Sequence, residues 1–297
     1  MIKLIATDLD GTLFYPKKRF MGMPSSNYHF VKNYLDKGIN FLFISGRSTM
    51  VVPKLKRKFK VDVPFLGCNG SYLLEGDKLS QCYPLNRKAL FDFYSWAKAY
   101  YSVLIFFLFD EHHPLYLHMD KLSTPLKKSF VVGNQFYGFY KEKMIVGEET
   151  FVKKLIETDN YKMMLSFGFG QSQAVKSHQV CYDCQERFGK YFSFAVSDSS
   201  IEVTAKNINK GFGLKNYCLS HNIAFDDVFV IGDSGNDLFM YEDFPHTFAM
   251  SHAPDFVKSQ ANHCVDRVSD LEQYLINPEM VSGDKVRIIS FDKELEK

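Results

Sequence analysis

Strand and helix signals alternate at both ends of this chain and lose that alternation in the middle. Leu4–Asp8 reads as a strand. A helix fits residues 26–37, with Ser25 or Ser26 as cap and Gly38 as stop. Residues 39–44 form a nearly continuous apolar run, which suits a strand buried on both faces, as in a parallel sheet. A helix over Val52–Phe59 tolerates Pro53 only in its first turn, and a strand over 64–68 ends in Asn69-Gly70. The same grammar returns late in the chain. Helix signals cover 213–221, begin again near Asn236 and resume from Pro254, with strands at 228–231 and 247–250. Such alternation predicts an α/β fold with a doubly wound, mostly parallel sheet built from both ends of the chain. The middle mixes strands (103–109, Leu115–His118, 163–167) with helices (Arg87–Tyr100, 172–188) and a hairpin of strands 192–196 and 201–203 around Asp198-Ser199. An inserted α+β domain is expected over 84–205, with 1–83 and 206–297 forming the other domain. A chain of 297 residues is long enough for two cores.

Hydrophobic residues make up 46% of the chain and aromatics 16%, which favours bulky cores over disorder. The formal charge of +2, from 36 basic and 34 acidic residues, gives no electrostatic case for nucleic acid or a membrane surface. The longest apolar run, 103–109, is far short of the ~18 residues that suggest a membrane span. Met1-Ile2-Lys3 leads straight into the first strand with no signal-peptide pattern, and six cysteines are scattered. The expectation is a cytoplasmic protein with reduced thiols.

Several strands end in polar residues, on the edge where open α/β sheets bind ligands. In Asp8-Leu9-Asp10-Gly11-Thr12 the two carboxylates are two residues apart, so in extended chain they face the same way, and Gly11 lets the backbone turn sharply. They suit either a cation site or a nucleophile paired with an acid/base; the plain alternative is a strand ending in an Asp-Gly turn. Ser45 ends the second strand. Asp233, followed by Ser234-Gly235-Asn236-Asp237, ends a late one. Lys210 stands where the chain re-enters the first domain. Hard oxygen donors at Asp8, Asp10 and Asp233 suit magnesium, Ser45 offers a hydroxyl, and Lys210 a point charge for phosphate. Singly, Ser45 can be a turn residue, Lys210 a solvated lysine and 232–237 an ordinary turn; together, in this order, they point to phosphoryl chemistry.

These segments resemble the haloacid dehalogenase-like phosphatases of the Cof-type group. Asp8-Leu9-Asp10-Gly11-Thr12 is similar to the first motif of that family, Ile44-Ser45-Gly46-Arg47 to the second, Lys210-Gly211 to the third, and Gly232-Asp233-Ser234-Gly235-Asn236-Asp237 with Leu238-Phe239-Met240 to the fourth. Asn69-Gly70 and Ala253-Pro254 also match. The resemblance implies a Rossmann-like core with an inserted cap that selects the substrate. It implies Asp8 as nucleophile forming an aspartyl-phosphate, Asp10 as acid then base, and Lys210 as the catalytic lysine. It implies Mg²⁺ on Asp8, the Asp10 carbonyl and Asp233, with Asp237 and Asn236 holding metal-bound water or orienting Lys210. Gly11, Thr12, Ser45, Gly46, Asn69 and Asn236 would hold phosphate or substrate. The implied partner is a small phosphorylated metabolite: sugar phosphates first, then phosphorylated cofactors such as FMN or pyridoxal phosphate. A phosphomutase and a non-catalytic sensor of phosphorylated ligands stay open as alternatives, as do monomer and homodimer. His252 stands where the family usually has Asn, and Ser269-Asp270-Leu271-Glu272 replaces its Asp-Gly-Val.

Other signals are weaker. Cys181-Tyr182-Asp183-Cys184 has redox or zinc spacing but lies in a helix without further ligands nearby. Gly168-Phe169-Gly170 and Gly211-Phe212-Gly213 lack the third glycine of a dinucleotide site. The basic stretch 54–60 suits a solvated helix face. Phe167, Phe169 and Tyr182 are expected in the core. Residues 110–113 are an exposed turn or a specificity loop, and the polar tail follows Pro278.

Overall fold

The computed structural model describes residues 2–16, 22–110, 115–119, 121–137, 144–197 and 199–281; Glu111, His112, His113, Asp198 and the tail from 282 lie outside them. The strands in chain order are β1 (Leu4–Asp8), β2 (Asn40–Ile44), β3 (Phe65–Gly67), β4 (Tyr72–Glu75) and β5 (Lys78–Ser80). Next come β6 (Ile105–Phe109), β7 (Leu115–His118), β8 (Met144–Val146), β9 (Lys162–Ser166), β10 (Phe192–Ser197) and β11 (Ser200–Ala205). Last are β12 (Val228–Gly232), β13 (His246–Met250) and β14 (His263–Val265). The helices are α1 (Ser25–Asp36), α2 (Val52–Phe59), α3 (Arg87–Tyr100), α4 (Thr124–Tyr137), α5 (Glu148–Glu157), α6 (Gln171–Phe188), α7 (Lys210–Ser220), α8 (Leu238–Tyr241), α9 (Asp255–Lys258) and α10 (Glu272–Ile276).

Eight strands form one sheet in the order β14-β13-β12-β1-β2-β3-β4-β5. The run from β14 to β3 is parallel, and the β4–β5 hairpin extends it antiparallel. Side chains alternate across the sheet. Ile5, Phe41, Phe43, Phe229, Ile231 and Phe248 face one way, toward Phe30, Val31 and Tyr34 of α1 and Leu55 and Phe59 of α2. Leu4, Ala6, Leu42, Ile44, Val228 and Val230 face the other way, toward Leu214, Tyr217 and Cys218 of α7 and Met240 and Tyr241 of α8. Both faces of β1 are therefore covered, which is why Leu4–Asp8 is buried throughout.

A second sheet of six strands, β10-β11-β9-β6-β7-β8, lies in sequence between β5 and β12. On one face Phe106, Leu108, Met163, Leu165, Ile201 and Val203 pack on α3, α5 and α6. On its other face Phe107, Phe109, Lys162, Met164 and Glu202 look toward the C-terminal ends of β1 and β2, across a shared cavity.

Local details differ from the sequence reading. The cap of α1 is Pro24, with no side-chain hydrogen bond from Ser25 or Ser26. α7 begins three residues before the expected 213 because the Asn209 side chain accepts from the Phe212 N–H at 2.8 Å. The hairpin β4–β5, the segments α4, β8 and α5, and β14 are additional to the expected elements. Phe167 is buried, but Phe169 and Tyr182 are exposed at 91% and 68%. Phe169 sits between two glycines in a connection, and Tyr182 is on the outer face of α6, so neither reaches the core. Among the described residues no helix is long and apolar enough to cross a membrane.

Phe43 is fully buried and its ring meets those of Phe41 and Phe59. Phe43→Ala is expected to cost about 3–5 kcal/mol, read from urea unfolding. A loss below about 1 kcal/mol would contradict this packing.

Candidate active site

Register brings the site together. Asp8 pairs with Ile44, so Ser45 follows beside it on β2. Thr7 pairs with Ile231, so Gly232 and Asp233 follow on the other side. The chain turns at Leu9–Leu13, where the Phe14 amide donates to the Leu9 carbonyl and Gly11 adopts φ +83°. A β-carbon on Gly11 would lie 2.2 Å from Asp233 Oδ2, so this position tolerates only glycine. The Thr12 hydroxyl donates to Asp233 Oδ1 at 2.8 Å.

Lys210, at the first turn of α7, is 2% exposed. Its ammonium donates to Asp8 Oδ1 at 2.7 Å and to Asp237 Oδ1 at 2.6 Å. Burial opposes its charge, yet the two carboxylates more than offset this and hold its pKa above the lysine range. Burial pushes Asp8 well up, against Lys210 and with the repulsion of Asp237, Asp233 and Asp10 added. Burial, then the Asp237 charge, push Asp233 up to about 6 despite the Thr12 hydrogen bond and Lys210. Asp237 is fully engaged: its other oxygen accepts from the amides of Asp233 and Ser234 at 2.9 Å each and from the Ser234 hydroxyl. In this arrangement it orients Lys210.

Asp10 turns away from this group. The Arg47 guanidinium holds its carboxylate by two bonds, Nε to Oδ2 at 2.5 Å and Nη2 to Oδ1 at 3.0 Å. The role of Arg47 was missing from the sequence reading, although the residue lies in the Ile44–Arg47 motif. Ser45 Oγ accepts from the Arg47 amide at 3.1 Å. Asp8, Asp10, Gly11, Ser45, Gly46, Lys210, Asp233 and Asn236 all line a cavity of about 730 Å³, a volume suited to a small metabolite. Thr12 and Asn69 do not line it. Thr12 is committed to Asp233, and Asn69 faces Glu202, donating to Oε2 at 2.5 Å, beside a smaller neighbouring cavity. Lys162 and Glu202, from the second sheet, also line the large cavity and were not foreseen.

A hard cation fits. Oxygens of Asp8, Asp233 and Asp237 lie within 4.8 Å of one another, and three carboxylates around the single ammonium of Lys210 suit a hard divalent ion. The Asp10 carboxylate is not in this group; the donor this residue would bring is its carbonyl. His252 lies 3.6 Å from Asp233 Oδ2 and stacks on Tyr15 at 3.6 Å. Burial raises the thiol of Cys181 to about 11, and Cys184 is buried. Neither thiol is poised for redox or metal chemistry.

A family model described as haloacid dehalogenase-like hydrolase matches residues 5–271. The chain belongs to that family. It is 26% identical to the Bacillus subtilis 5-amino-6-(5-phospho-D-ribitylamino)uracil phosphatase YwtE, over 88% of this chain and 91% of that one. It is 24% identical to the Escherichia coli pyridoxal phosphate phosphatase YbhA, over 88% of this chain and 92% of that one. Among solved structures it resembles the subclass IIB sugar phosphatase BT4131, with TM-score 0.73 and 17% identity, covering 92% of this chain and 99% of that one; this likeness concerns the fold.

A carboxyl raised in the fold lowers stability as pH climbs through its pKa, because the unfolded chain has already ionised. Without metal, Asp233→Asn is therefore expected to stabilise the protein at pH 7.5 by on the order of 2 kcal/mol, with the gain fading as pH falls through about 6 and gone below about pH 4. Mg²⁺ at a hundred times Kd should stabilise the wild type by about 2.7 kcal/mol and the variant far less. Calorimetry checks both; a destabilised variant with an intact Mg²⁺ response would refute the arrangement. Separately, a thiol reagent at pH 7.5 should modify exposed Cys82 and Cys264 quickly and the other cysteines slowly, as peptide mapping would read.

Proposed function

We propose that this phosphatase hydrolyses small phosphorylated metabolites, sugar and sugar-alcohol phosphates first. The observation that carries the reading is the convergence of Asp8, held by Lys210, and Asp10, held by Arg47, at one wall of a metabolite-sized cavity. Asp8 attacks phosphorus and becomes an aspartyl-phosphate. Asp10 protonates the leaving oxygen, then takes the proton of the water that attacks this intermediate. Arg47 fixes the direction of the Asp10 carboxylate. Ser45, Lys210 and the backbone at Gly11 and Gly46 hold the phosphoryl oxygens. Asp8, Asp233 and the Asp10 carbonyl would hold Mg²⁺, which when bound offsets the negative charge of phosphate and nucleophile.

The insertion over 84–205 serves as a cap in this reading. Its His178 and Ser197, which line the cavity, suit a hydroxyl-bearing leaving group, and the ribityl phosphate named for the Bacillus relative accords with that. A second reading, a planar phosphorylated cofactor, draws on Phe107 and Phe109 lining the same cavity and on the pyridoxal phosphate named for the Escherichia relative. The free thiols suit a reducing compartment, and we place the enzyme in the cytoplasm.

Phosphate release from a panel of sugar, polyol and cofactor phosphates with Mg²⁺ tests this. Wild type should turn over polyol phosphates fastest. Asp8→Ala should abolish release, and Asp10→Asn should lower kcat by about 10²–10⁴. Full activity of Asp8→Ala would end the assignment. Isomerised product without free phosphate would indicate a mutase, and binding without turnover a sensor.

A further inference from the structure

Three consecutive carbonyls shape the turn that carries Ser45 and Arg47. The Ser45 carbonyl accepts from the Asn69 amide at 3.0 Å, and the Arg47 carbonyl accepts from the Cys68 amide at 2.9 Å. Both donors come from the tight turn Cys68–Gly70 that directly follows β3 of the first sheet. The middle carbonyl, of Gly46, accepts instead from the ammonium of Lys162 at 2.7 Å. Lys162 belongs to β9 of the second sheet.

Lys162 is built for this one contact. Its side chain is 3% exposed, and it pairs with Glu202 Oε1 at 2.7 Å. Its remaining side lies over the Phe109 ring at 4.8 Å. Glu202 in turn accepts from Asn69 Nδ2 at 2.5 Å and from Asn236 Nδ2 at 3.4 Å. Burial would raise Glu202, but Lys162, Asn69 and Lys210 outweigh it and keep its pKa below the usual range. The approach is possible because residue 46 has no side chain. A β-carbon there would lie 3.1 Å from Asn69 Oδ1, 3.1 Å from Lys162 Nζ and 3.2 Å from Glu202 Oε1.

We infer that Lys162 is a positioning residue: by holding the Gly46 carbonyl it makes the geometry of Ser45 and Arg47, and through Arg47 that of Asp10, depend on the second sheet being seated. Glu202 is the counter-charge that lets the lysine stay buried. With the sheet lifted, the middle peptide of the turn loses its donor, and the groups on either side lose alignment. The mechanism thus confines the aligned acid/base to the molecule with its second sheet seated. The inference rests on the phosphatase reading only for its kinetic consequence.

Lys162→Met alone strands a buried carboxylate and can unfold the protein. The double variant Lys162→Met/Glu202→Gln removes both charges and keeps an acceptor for Asn69. With p-nitrophenyl phosphate and Mg²⁺, kcat of the double variant should fall on the order of ten- to a hundred-fold while KM changes little, as a misplaced catalytic group requires. Hydrogen exchange of a peptide spanning 43–48 should quicken in the metal-free protein. Gly46→Ala, whose β-carbon would press on Lys162 Nζ and Glu202 Oε1, should quicken the same exchange while leaving the ion pair's residues in place. Unchanged kcat and exchange would overturn the inference, as would a rise in KM alone, which would make the pair a substrate contact. Should the wild type fail to hydrolyse this probe or the panel, the phosphatase reading falls, and the exchange comparison decides the role of Lys162 by itself.

Discussion

Lys210 is what allows carboxylates to crowd at the end of β1. Like charges a few ångströms apart in a buried site repel strongly, and here Asp8, Asp233 and Asp237 share one small volume. One ammonium, itself out of water, bridges two of them. Its placement depends on the Asn209 cap that starts α7 at the lysine and on the parallel register that puts β1 between β2 and β12. The pocket still holds more carboxylates than ammonium groups, and burial, with their mutual repulsion added, raises the carboxyls of Asp8 and Asp233. A divalent cation would complement such a cluster.

Much of this was legible in the chain. Asp8 was readable as the carboxylate that ends the first strand; Asp10 lies in the turn that follows, so the same-face spacing expected of an extended chain does not describe it. Apolar runs such as 39–44 announce a doubly covered sheet. Pairings across long sequence distances were not legible. Nothing in the spacing of Asp10 and Arg47 says that the guanidinium turns back onto that carboxylate. Lys162 and Glu202 sit in otherwise uncharged strands, Lys162–Ser166 and Ser200–Ala205. A lone charge on each was the available signal, and only the strand order, with β11 beside β9, joins the two. Phe169 and Tyr182 fail the opposite test: aromatic character suggested burial, yet a glycine-flanked connection and an outward helix face leave both in water. The helix over Glu148–Glu157 carried readable marks in its acidic first turn and in Phe151 and Leu155 at four-residue spacing.

The two sheets meet through chemistry of different kinds. Toward its own helices the second sheet offers hydrocarbon, in Phe106, Leu108 and Met163. Toward the first sheet it offers a mixed face, where Phe107 and Phe109 stand beside a buried ion pair. A purely apolar face would adhere regardless of alignment. Buried charges with directed hydrogen bonds tolerate few arrangements, since a displaced partner leaves a charge without compensation.

The position of β1 has a consequence for how the molecule comes into being. Its two neighbours, β2 and β12, are made at very different times. Asn40 follows within a few dozen residues, whereas Val228 emerges only after the whole second sheet has been synthesised. At roughly 5–20 residues per second, one edge of this buried strand waits on the order of ten to forty seconds for its partner. During that interval the nascent chain carries an open hydrogen-bonding edge, the kind of surface that recruits other strands. A strand covered on both faces in the finished fold is thus open along one edge during its birth, and shielding by chaperones matters before residue 228 leaves the ribosome.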